Sequence, residues 1–523
     1  MPIERVTCSD CDCAGRRASP ECRDARATPD IGQRLGAPCR AAVTAAMTGI
    51  PDEPTRRLLP WLVAVAFFMQ ALDTTILNTA VPAIAHAMQV SPINVKSVLA
   101  SYTLSLAVFI PVSGWMADRF GTRRVFASAI GLFTVGSILC GLSTSIEMLV
   151  ACRVLQGMGG AMMMPVGRMT LARTFGKADL VKVMSFVAIP SLVGPMIGPV
   201  AGGLIVVYLD WRGVFYVNVP VGLLGLYFVG RYLPDYREEK SHPLDYLGLV
   251  LFGGGIALLS WVLEVFGDHT LSLGSILVLL AISAVLLAGY GIRAMMTAFP
   301  LLDLALFRIR TFRAAVNGGF FTRLGLGGIP FLFPLLYQVG LGYSPVLSGL
   351  LVLPQAIASV GLKTFLPAIL ERLGYRTVLV GNTILVGLLI MSFATVGIDT
   401  PLWRIVVQAF ILGSFTSLQY TSMNTLVYAD VSGAQTSGAS TIAATGQQLS
   451  ISFGVAGAAL IAALFVPSHL HANSGAIVDG VQYAFLVLGG LTILSSVVFM
   501  ELKPDDAESL SHHEAAQRHD HEH

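Results

Sequence analysis

Residues 58–82 read LLPWLVAVAFFMQALDTTILNTAVP, and this stretch decides the fold class. About 20 apolar residues of helix are enough to cross the core of a bilayer, and this stretch meets that length. Lipid cannot satisfy an exposed backbone, so such a segment must be a membrane helix. Similar stretches, about fourteen in all, follow as far as Leu502. We therefore predict an all-α polytopic membrane protein with about 14 transmembrane helices.

The composition supports this class and limits the partners. Of the 523 residues, 54% are hydrophobic and 12% are charged, and the net charge is +2. A net charge this small does not favour a nucleic-acid partner. The predicted partners are the lipid bilayer, a small molecule and protons, and no cofactor or metal is predicted.

Two polar segments flank the apolar region. Residues 1–57 are rich in Arg, Pro, Ala and Asp, which predicts a disordered extension. Met47 begins a stretch typical of a chain start before a membrane helix, so we expect residues 1–46 to be dispensable for transport. Residues 503–523 are predicted to be a disordered, His-rich tail whose histidines are solvated, with metal binding as the less favoured alternative.

The basic residues predict the orientation of the chain. Lys and Arg are concentrated in alternate connectors, whereas the connectors between them hold only Lys96, Arg212 and Arg404. Connectors rich in Lys and Arg stay on the cytoplasmic side of a membrane. Both termini are therefore predicted to be cytoplasmic.

One loop sequence occurs twice. GWMADRFGTRR (residues 114–124) follows the second span, and PAILERLGYRT (residues 367–377) follows a later one, with Gly121 matched by Gly374. A duplicated helical bundle is how many secondary transporters are built. We predict two six-helix halves, residues 58–233 and 294–502, separated by two inserted linker helices in residues 234–293.

Asp73 lies near the middle of the first span, and Arg153 lies in the fourth, which runs the other way. An ionised group there costs at least ~2.5–3.5 kcal/mol, so Asp73 needs water, a partner or a proton. At ~1.5 Å per residue the two lie about 10–13 Å from the outer ends of their spans, and so at one level. Burial and a nearby Arg have opposite effects on how strongly a carboxylate binds a proton. This balance favours a proton-coupling role for Asp73, and a static ion pair is the alternative.

The fifth span contains VGPMIGPVAGG (residues 193–203), a run of regularly spaced small residues with two prolines. Small residues let membrane helices approach closely, and proline bends the helix axis. Close packing alone accounts for the glycines, but the prolines favour a helix that must also flex or slide. The residues concerned are Gly194, Pro195, Gly198, Pro199, Gly202 and Gly203.

Together these features resemble the major facilitator superfamily, in its fourteen-helix drug/proton antiporter branch. GWMADRFGTRR matches the family's loop signature, RVLQGMGGA (residues 153–161) its fourth-helix signature, and the Gly-Pro run its antiporter signature. LDTTILNTAVP (residues 72–82) and DWRGVFYVNVPVG (residues 210–222) match motifs typical of the branch. Gly213 departs from that motif, where an aromatic residue is usual, and this affects a packing detail.

The resemblance implies proton-driven export of lipophilic or cationic compounds by alternating access, in a bacterial inner membrane. Because one chain contains both halves, we also predict a monomer. Asp73 would carry the proton and Arg153 would modulate it, while Arg323, Met69 and Gln156 are candidates to line the cavity. A further set would form a cytoplasmic latch that holds the halves together in one state: Gly114, Asp118, Arg119, Gly121, Arg123, Glu371 and Arg372.

Other functions remain open to different degrees. Transport of a specific metabolite by the same machinery is the main alternative. An ATP pump is disfavoured because no GxxxxGK[ST] motif occurs, and a channel because no filter-like loop or acidic ring stands out. No HExxH motif or nucleophile–base pair favours an enzyme.

Overall fold

The computed structural model describes residues 53–175, 177–237, 243–266, 272–361, 366–432, 435–465, 474–503 and 506. Within these ranges the secondary structure is helical, and no strand occurs. The predictions for residues 1–52 and for the histidines of the tail lie outside the described residues.

Fourteen helices of fifteen or more residues make up the described chain. A four-residue helix, Gly213–Tyr216, precedes α6. Short helical segments extend α1 as far as Met88 and α9 as far as Gly340. The fourteen helices are α1 (Glu53–Ile76), α2 (Lys96–Phe120), α3 (Thr122–Gly141), α4 (Ile146–Thr174), α5 (Lys177–Tyr208), α6 (Asn218–Tyr232), α7 (Tyr246–Phe266), α8 (Leu273–Met296), α9 (Arg310–Gly327), α10 (Pro345–Gly361), α11 (Leu366–Ser392), α12 (Leu402–Leu426), α13 (Thr436–Phe465) and α14 (Ser474–Phe499).

Most of these helices have the length and apolarity that a membrane requires. Eleven segments are long and apolar enough to cross it, and Val193–Tyr208 and Pro345–Gly361 are shorter apolar helices. The prediction of an all-α membrane protein with about 14 transmembrane helices is confirmed. Below, the outer side is the side on which α1 ends, and the inner side is the side on which it begins.

Three predicted boundaries differ from the structure. α1 begins at Glu53, inside the predicted extension, because its polar first turn continues the helix beyond the apolar core. α8 runs to Met296, past the predicted end of the insertion at residue 293, since apolar residues continue there. Lys503 and Asp506 are held in place, in the predicted tail: Asp506 accepts hydrogen bonds from Arg310 and from the backbone N–H of Lys503. Partial burial raises the pKa of Asp506, but these hydrogen bonds outweigh it and leave the pKa below its usual value.

The same helix pairings occur in two sets of six helices. In the first set, α1 packs against α4, α5 and α6. In addition, α2 packs against α4, and α3 packs against both α4 and α6. Each of these pairings recurs in the second set between the helices numbered eight higher. For example, α9 packs against α13 as α1 does against α5, and α11 packs against α14 as α3 does against α6. The repeated loops also share a backbone feature, because Gly121 and Gly374 have φ values of +95° and +72°. These angles favour glycine, and they agree with the duplication expected from the sequence.

The two sets meet at their outer ends. One cluster of buried apolar side chains joins them there and includes Leu72 and Ile76 of α1 with Phe333 and Leu336 beyond α9. Nearer the inner side, one cluster fills the first set, and another fills the second set and extends to α7, α8 and Ala107 of α2. α2 packs against α13, and α5 packs against α10. The outer side of the protein is therefore closed in this structure.

The helices α7 and α8 pack against each other, and α7 also contacts α2 and α13. At the inner end of the pair, Asp245 Oδ1 accepts a hydrogen bond from Arg293 Nε at 2.6 Å. Ser283 Oγ donates to the Gly255 carbonyl oxygen at 2.8 Å near the middle of the pair. α7 thus lies over the seam between the two sets of six helices.

Close packing of α3 against α4 gives a test of the fold. A Cβ atom on Gly159 would lie 2.6 Å from the Ala129 carbonyl oxygen and from the Phe133 nitrogen, whereas one on Gly230 would meet nothing within 4 Å. We expect Gly159→Ala to lower the unfolding free energy in detergent by about 1–3 kcal/mol, because the backbones must separate. Gly230→Ala is the matched control and should leave the unfolding free energy unchanged or raise it by up to about 1 kcal/mol, because alanine is the better helix former. Equal effects of the two substitutions would contradict this packing.

Candidate functional site

Asp73 is the centre of a buried polar network within the first set of helices. Asp73 and Arg153 are each 1% exposed. Arg153 Nη1 donates to Asp73 Oδ2 at 2.7 Å, and the Asp73 Oδ1 atom accepts from Gln156 Nε2 and Asn218 Nδ2, both at 2.9 Å. The carboxylate therefore has donors from α4 and α6, which offset the cost of burying its charge.

Neighbouring groups fix the donors of this network. Gln156 Nε2 also donates to Ser137 Oγ at 2.8 Å, and Gln156 Oε1 accepts from Arg153 Nη1 at 2.7 Å. The Arg153 guanidinium carbon lies 4.1 Å from the centre of the Tyr102 ring, and Arg153 Nε donates to the Val98 carbonyl oxygen at 3.4 Å. Because the participants lie on α1, α2, α3, α4 and α6, a change of charge at Asp73 affects all five helices.

The structure brings together residues that the sequence assigned to separate motifs. Asp73 and Arg153, expected at one depth, are in contact, and Gln156 belongs to their network rather than to an open cavity. Asn218 and Ser137 were not predicted as site residues. The available signal for Asn218 was its place as the one amide side chain within DWRGVFYVNVPVG.

The Gly-Pro helix α5 lies between α1 and the second set of helices. Cβ atoms on Gly194 and Gly198 would lie 2.9 Å from the Leu72 nitrogen and 3.1 Å from the Ile76 nitrogen, and Gly202 also contacts α1 at Ile76 and Thr79. On its other side, α5 contacts α10, where Gly203 meets Pro345 and Pro199 meets Gly349. Pro195 and Pro199 both lie inside the helix. α5 thus connects the neighbourhood of Asp73 to the outer contact between the two sets.

The loop after α2 makes contacts within its own set of helices. Asp118 Oδ1 accepts from Arg173 Nη2 at 2.9 Å. Gly121 and Arg123 lie against the segment after α6, where the Arg123 nitrogen donates to Asp235 Oδ1 at 3.1 Å. Arg119 and Arg372 are exposed, and the side chain of Glu371 lies outside the described part of the chain.

A cavity of about 900 Å³ opens beside this loop on the inner side. Gly114 and Asp118 line it together with Ser437 and Thr441 at the start of α13. More than half of its lining residues belong to the inner end of α8 and to residues 297–308, which connect α8 to α9. The cavity therefore lies beside α2, α13 and the end of α8 on the inner side.

The remaining cavity candidates lie in different places. Met69 lines an apolar groove of about 360 Å³ between α1, α3 and α6, with Trp61 and Leu224. Its expected position in the cavity between the halves is wrong, because α3 and α6 cover this face of α1. Arg323 on α9 is 7% exposed, and its Nη2 atom donates to Asn424 Oδ1 on α12 at 2.7 Å.

A family model described as Major Facilitator Superfamily matches residues 63–455, and a second match covers residues 315–520. The first match alone spans more than half of the chain. The chain belongs to the major facilitator superfamily. The resemblance drawn from the sequence motifs is thereby confirmed, and this member is a secondary active transporter rather than an enzyme.

Relatives of this superfamily member match it over most of its length. It is 38% identical over 447 residues to the "Putative multidrug resistance protein MdtD" of Pectobacterium atrosepticum, covering 85% of this chain and 95% of that protein. A protein of the same name from Escherichia coli is 37% identical over 465 residues, covering 89% of this chain and 98% of the relative.

Solved structures of the superfamily share the fold. A D-xylose–proton symporter superposes with a TM-score of 0.62 at 14% identity, covering 86% of this transporter and 98% of that chain. A bacterial homologue of the human lysosomal transporter Spinster superposes with a TM-score of 0.59 at 15% identity, covering 87% and 100%. At these identities the likeness concerns the fold alone.

A double-mutant cycle tests the Asp73–Arg153 pair. We expect Arg153→Met to lower the unfolding free energy by about 3–5 kcal/mol, because it leaves a buried carboxylate without its cation. Asp73→Asn in the same chain should recover part of that loss, since the remaining groups are neutral. Unfolding in mixed detergent micelles measures all four variants. Strictly additive losses would show that the two residues do not interact.

Proposed function

We propose that this transporter is a proton-coupled antiporter that exports small molecules, with Asp73 as the group that carries the proton. The observation on which this depends is the position of Asp73, buried in the membrane in a network of five helices and adjacent to the outer closure. An ionisable residue within a membrane is expensive and marks proton or ion pathways by default. The names of the relatives, which are multidrug resistance proteins, support drugs as substrates.

The charge balance gives Asp73 two distinct states. When the carboxylate is ionised, Arg153 pairs with it at 2.7 Å. A proton on Asp73 would leave the Arg153 cation with neutral acceptors, namely Gln156 Oε1 and the Val98 carbonyl oxygen. An uncompensated buried charge is unfavourable, so protonation favours a different arrangement of α1 and α4.

The packing around α5 supplies a route from this change to the two sets of helices. Ile76 and Thr79, which follow Asp73 on α1, contact Gly198 and Gly202 of α5, and α5 in turn contacts α10. A shift of α1 would therefore alter the outer contact between the sets. In this proposal the proton enters from the outer side when that side is open, and the substrate enters from the inner cavity.

The orientation and assembly belong to the same proposal. The excess of Lys and Arg in alternate connectors supports cytoplasmic termini, and bacterial relatives support a bacterial inner membrane. One chain contains both sets of helices, which supports a monomer. We propose that α7 and α8 form an insertion between two six-helix halves. The names of the relatives favour drugs over a specific metabolite, which was the alternative expected from the sequence.

Neutralising Asp73 tests the coupling. We expect Asp73→Asn to abolish efflux driven by a pH gradient in proteoliposomes, because a side-chain amide does not take up a proton near neutral pH. The protein should still elute as one species, since the amide keeps acceptor capacity for Arg153. Asp479→Asn, on the exposed surface of α14, is the matched control and should transport normally. Undiminished coupled efflux in Asp73→Asn would remove Asp73 from this role.

Neutralising Asp118 tests the proposed latch. We propose that the loop residues close against the second half when the inner cavity closes, together with Glu371 and Arg372 of the repeated loop. We expect Asp118→Asn to reduce the turnover rate several-fold while leaving substrate binding at equilibrium nearly unchanged, because it alters only the balance between two states. Asp210→Asn at an exposed outer position is the control. Normal turnover in Asp118→Asn would contradict the latch.

A further inference from the structure

The charged residues inside the membrane do not balance. Asp73 is already paired with Arg153, and Arg168 on α4 and Arg323 on α9 add two more cations. The sequences of α9 and α12 contain no Asp or Glu at all. Within the interior of α1, α4, α9 and α12, cations therefore outnumber carboxylates even when Asp73 is ionised.

Arg323 is held only by neutral groups among the residues that the structure describes. Its Nη2 atom donates to Asn424 Oδ1 at 2.7 Å, and its guanidinium carbon lies 5.3 Å from the centre of the Tyr420 ring. No ion pair to Arg323 occurs in this part of the chain, although the residue is only 7% exposed. A guanidinium has five N–H donors, and the contact with Asn424 occupies only one of them.

The cost of this arrangement points to an anionic ligand. A cation near the bilayer centre costs at least ~2.5–3.5 kcal/mol, and such residues pair with a counter-charge or mark a substrate pathway. Asn424 and Tyr420 orient the guanidinium without neutralising it. The unused donors suit a carboxylate, sulfonate or phosphate, which a guanidinium can bind through two parallel hydrogen bonds.

Arg168 lies on the inner part of α4. It is exposed, and its guanidinium carbon lies 5.9 Å from the centre of the Phe67 ring on α1. Arg168 follows Arg153 by fifteen residues, which places it about 60° away around the helix at 3.6 residues per turn. Both arginines therefore lie on the side of α4 that faces α1, and Arg168 is nearer the inner end.

We propose that Arg323 binds a negatively charged group of the exported molecule, and that Arg168 attracts the same group as it enters from the inner side. This inference rests on the proposed export function and specifies its substrate class as organic anions with an apolar body. Tyr420, whose ring lies beside the arginine, and Phe320 of α9 both pack against a cluster of apolar side chains suited to such a body. Organic cations are disfavoured because the site already carries excess positive charge.

A pair of probes of equal shape tests the proposal. Binding of naphthalene-2-sulfonate and of trimethyl(2-naphthyl)ammonium is measured by titration calorimetry on the purified full chain in detergent, without a pH gradient. We expect the sulfonate to bind at least tenfold more tightly than the ammonium. Arg323→Gln should weaken sulfonate binding at least tenfold, and Arg231→Gln at the exposed end of α6 is the matched control that should not.

Two further variants keep the result interpretable. Arg168→Gln removes an exposed charge and should weaken sulfonate binding several-fold, even if Arg323→Gln proves difficult to purify. Arg124→Gln, at an exposed inner position on α3, is the control for Arg168 and should leave sulfonate binding unchanged. A failure of proton coupling with sulfonate binding intact would overturn the export mechanism alone. Equal or tighter binding of the ammonium, or unchanged sulfonate binding in both arginine variants, would overturn the anion site.

Discussion

A carboxylate in the low-dielectric interior of a membrane must be supplied with donors, and this requirement organises the first half of the transporter. Asp73 receives hydrogen bonds from Arg153, Gln156 and Asn218, and each of these donors is itself fixed by a neighbouring helix. The helices that supply them cannot move independently while the carboxylate is charged. The buried Asp73 carboxylate thus restricts the relative positions of five helices. Protonation of Asp73 is therefore suited to control the arrangement of these helices.

The outer closure depends on the same region through backbone proximity. Glycines on α5 admit α1 on one face and α10 on another, at distances that a Cβ atom would not permit. The apolar cluster that seals the outer side begins at Leu72 and Ile76, the immediate neighbours of Asp73 in sequence or along the helix. The charged network and the seal are therefore parts of one packed unit.

Sequence reasoning reached the helices and the acidic site by different routes and with different success. Length and apolarity predict the spans because lipid imposes both. Counting residues from the span ends placed Asp73 and Arg153 at one depth, since antiparallel helices rise equally per residue. Asn218 was not found, because a membrane helix that faces lipid on one side and protein on the other is apolar on both, so the hydrophobic pattern does not reveal which residue points at the site. Met69 was misplaced for the same reason. The inner cavity was not predictable, because it depends on how the end of α8 and its connector pack against α2 and α13.

The placement of α7 has a consequence for how cargo arrives. This helix touches one member of each half and so shields one flank of the molecule from acyl chains, whereas the flank formed by α5 and α10 has no such cover among the described helices. A compound dissolved in the inner leaflet would contact α7 on the first flank, whereas on the second flank it would contact α5 and α10 directly. We therefore expect substrates that enter from the lipid to do so only at the flank formed by α5 and α10. Substrates dissolved in water would enter from the inner side.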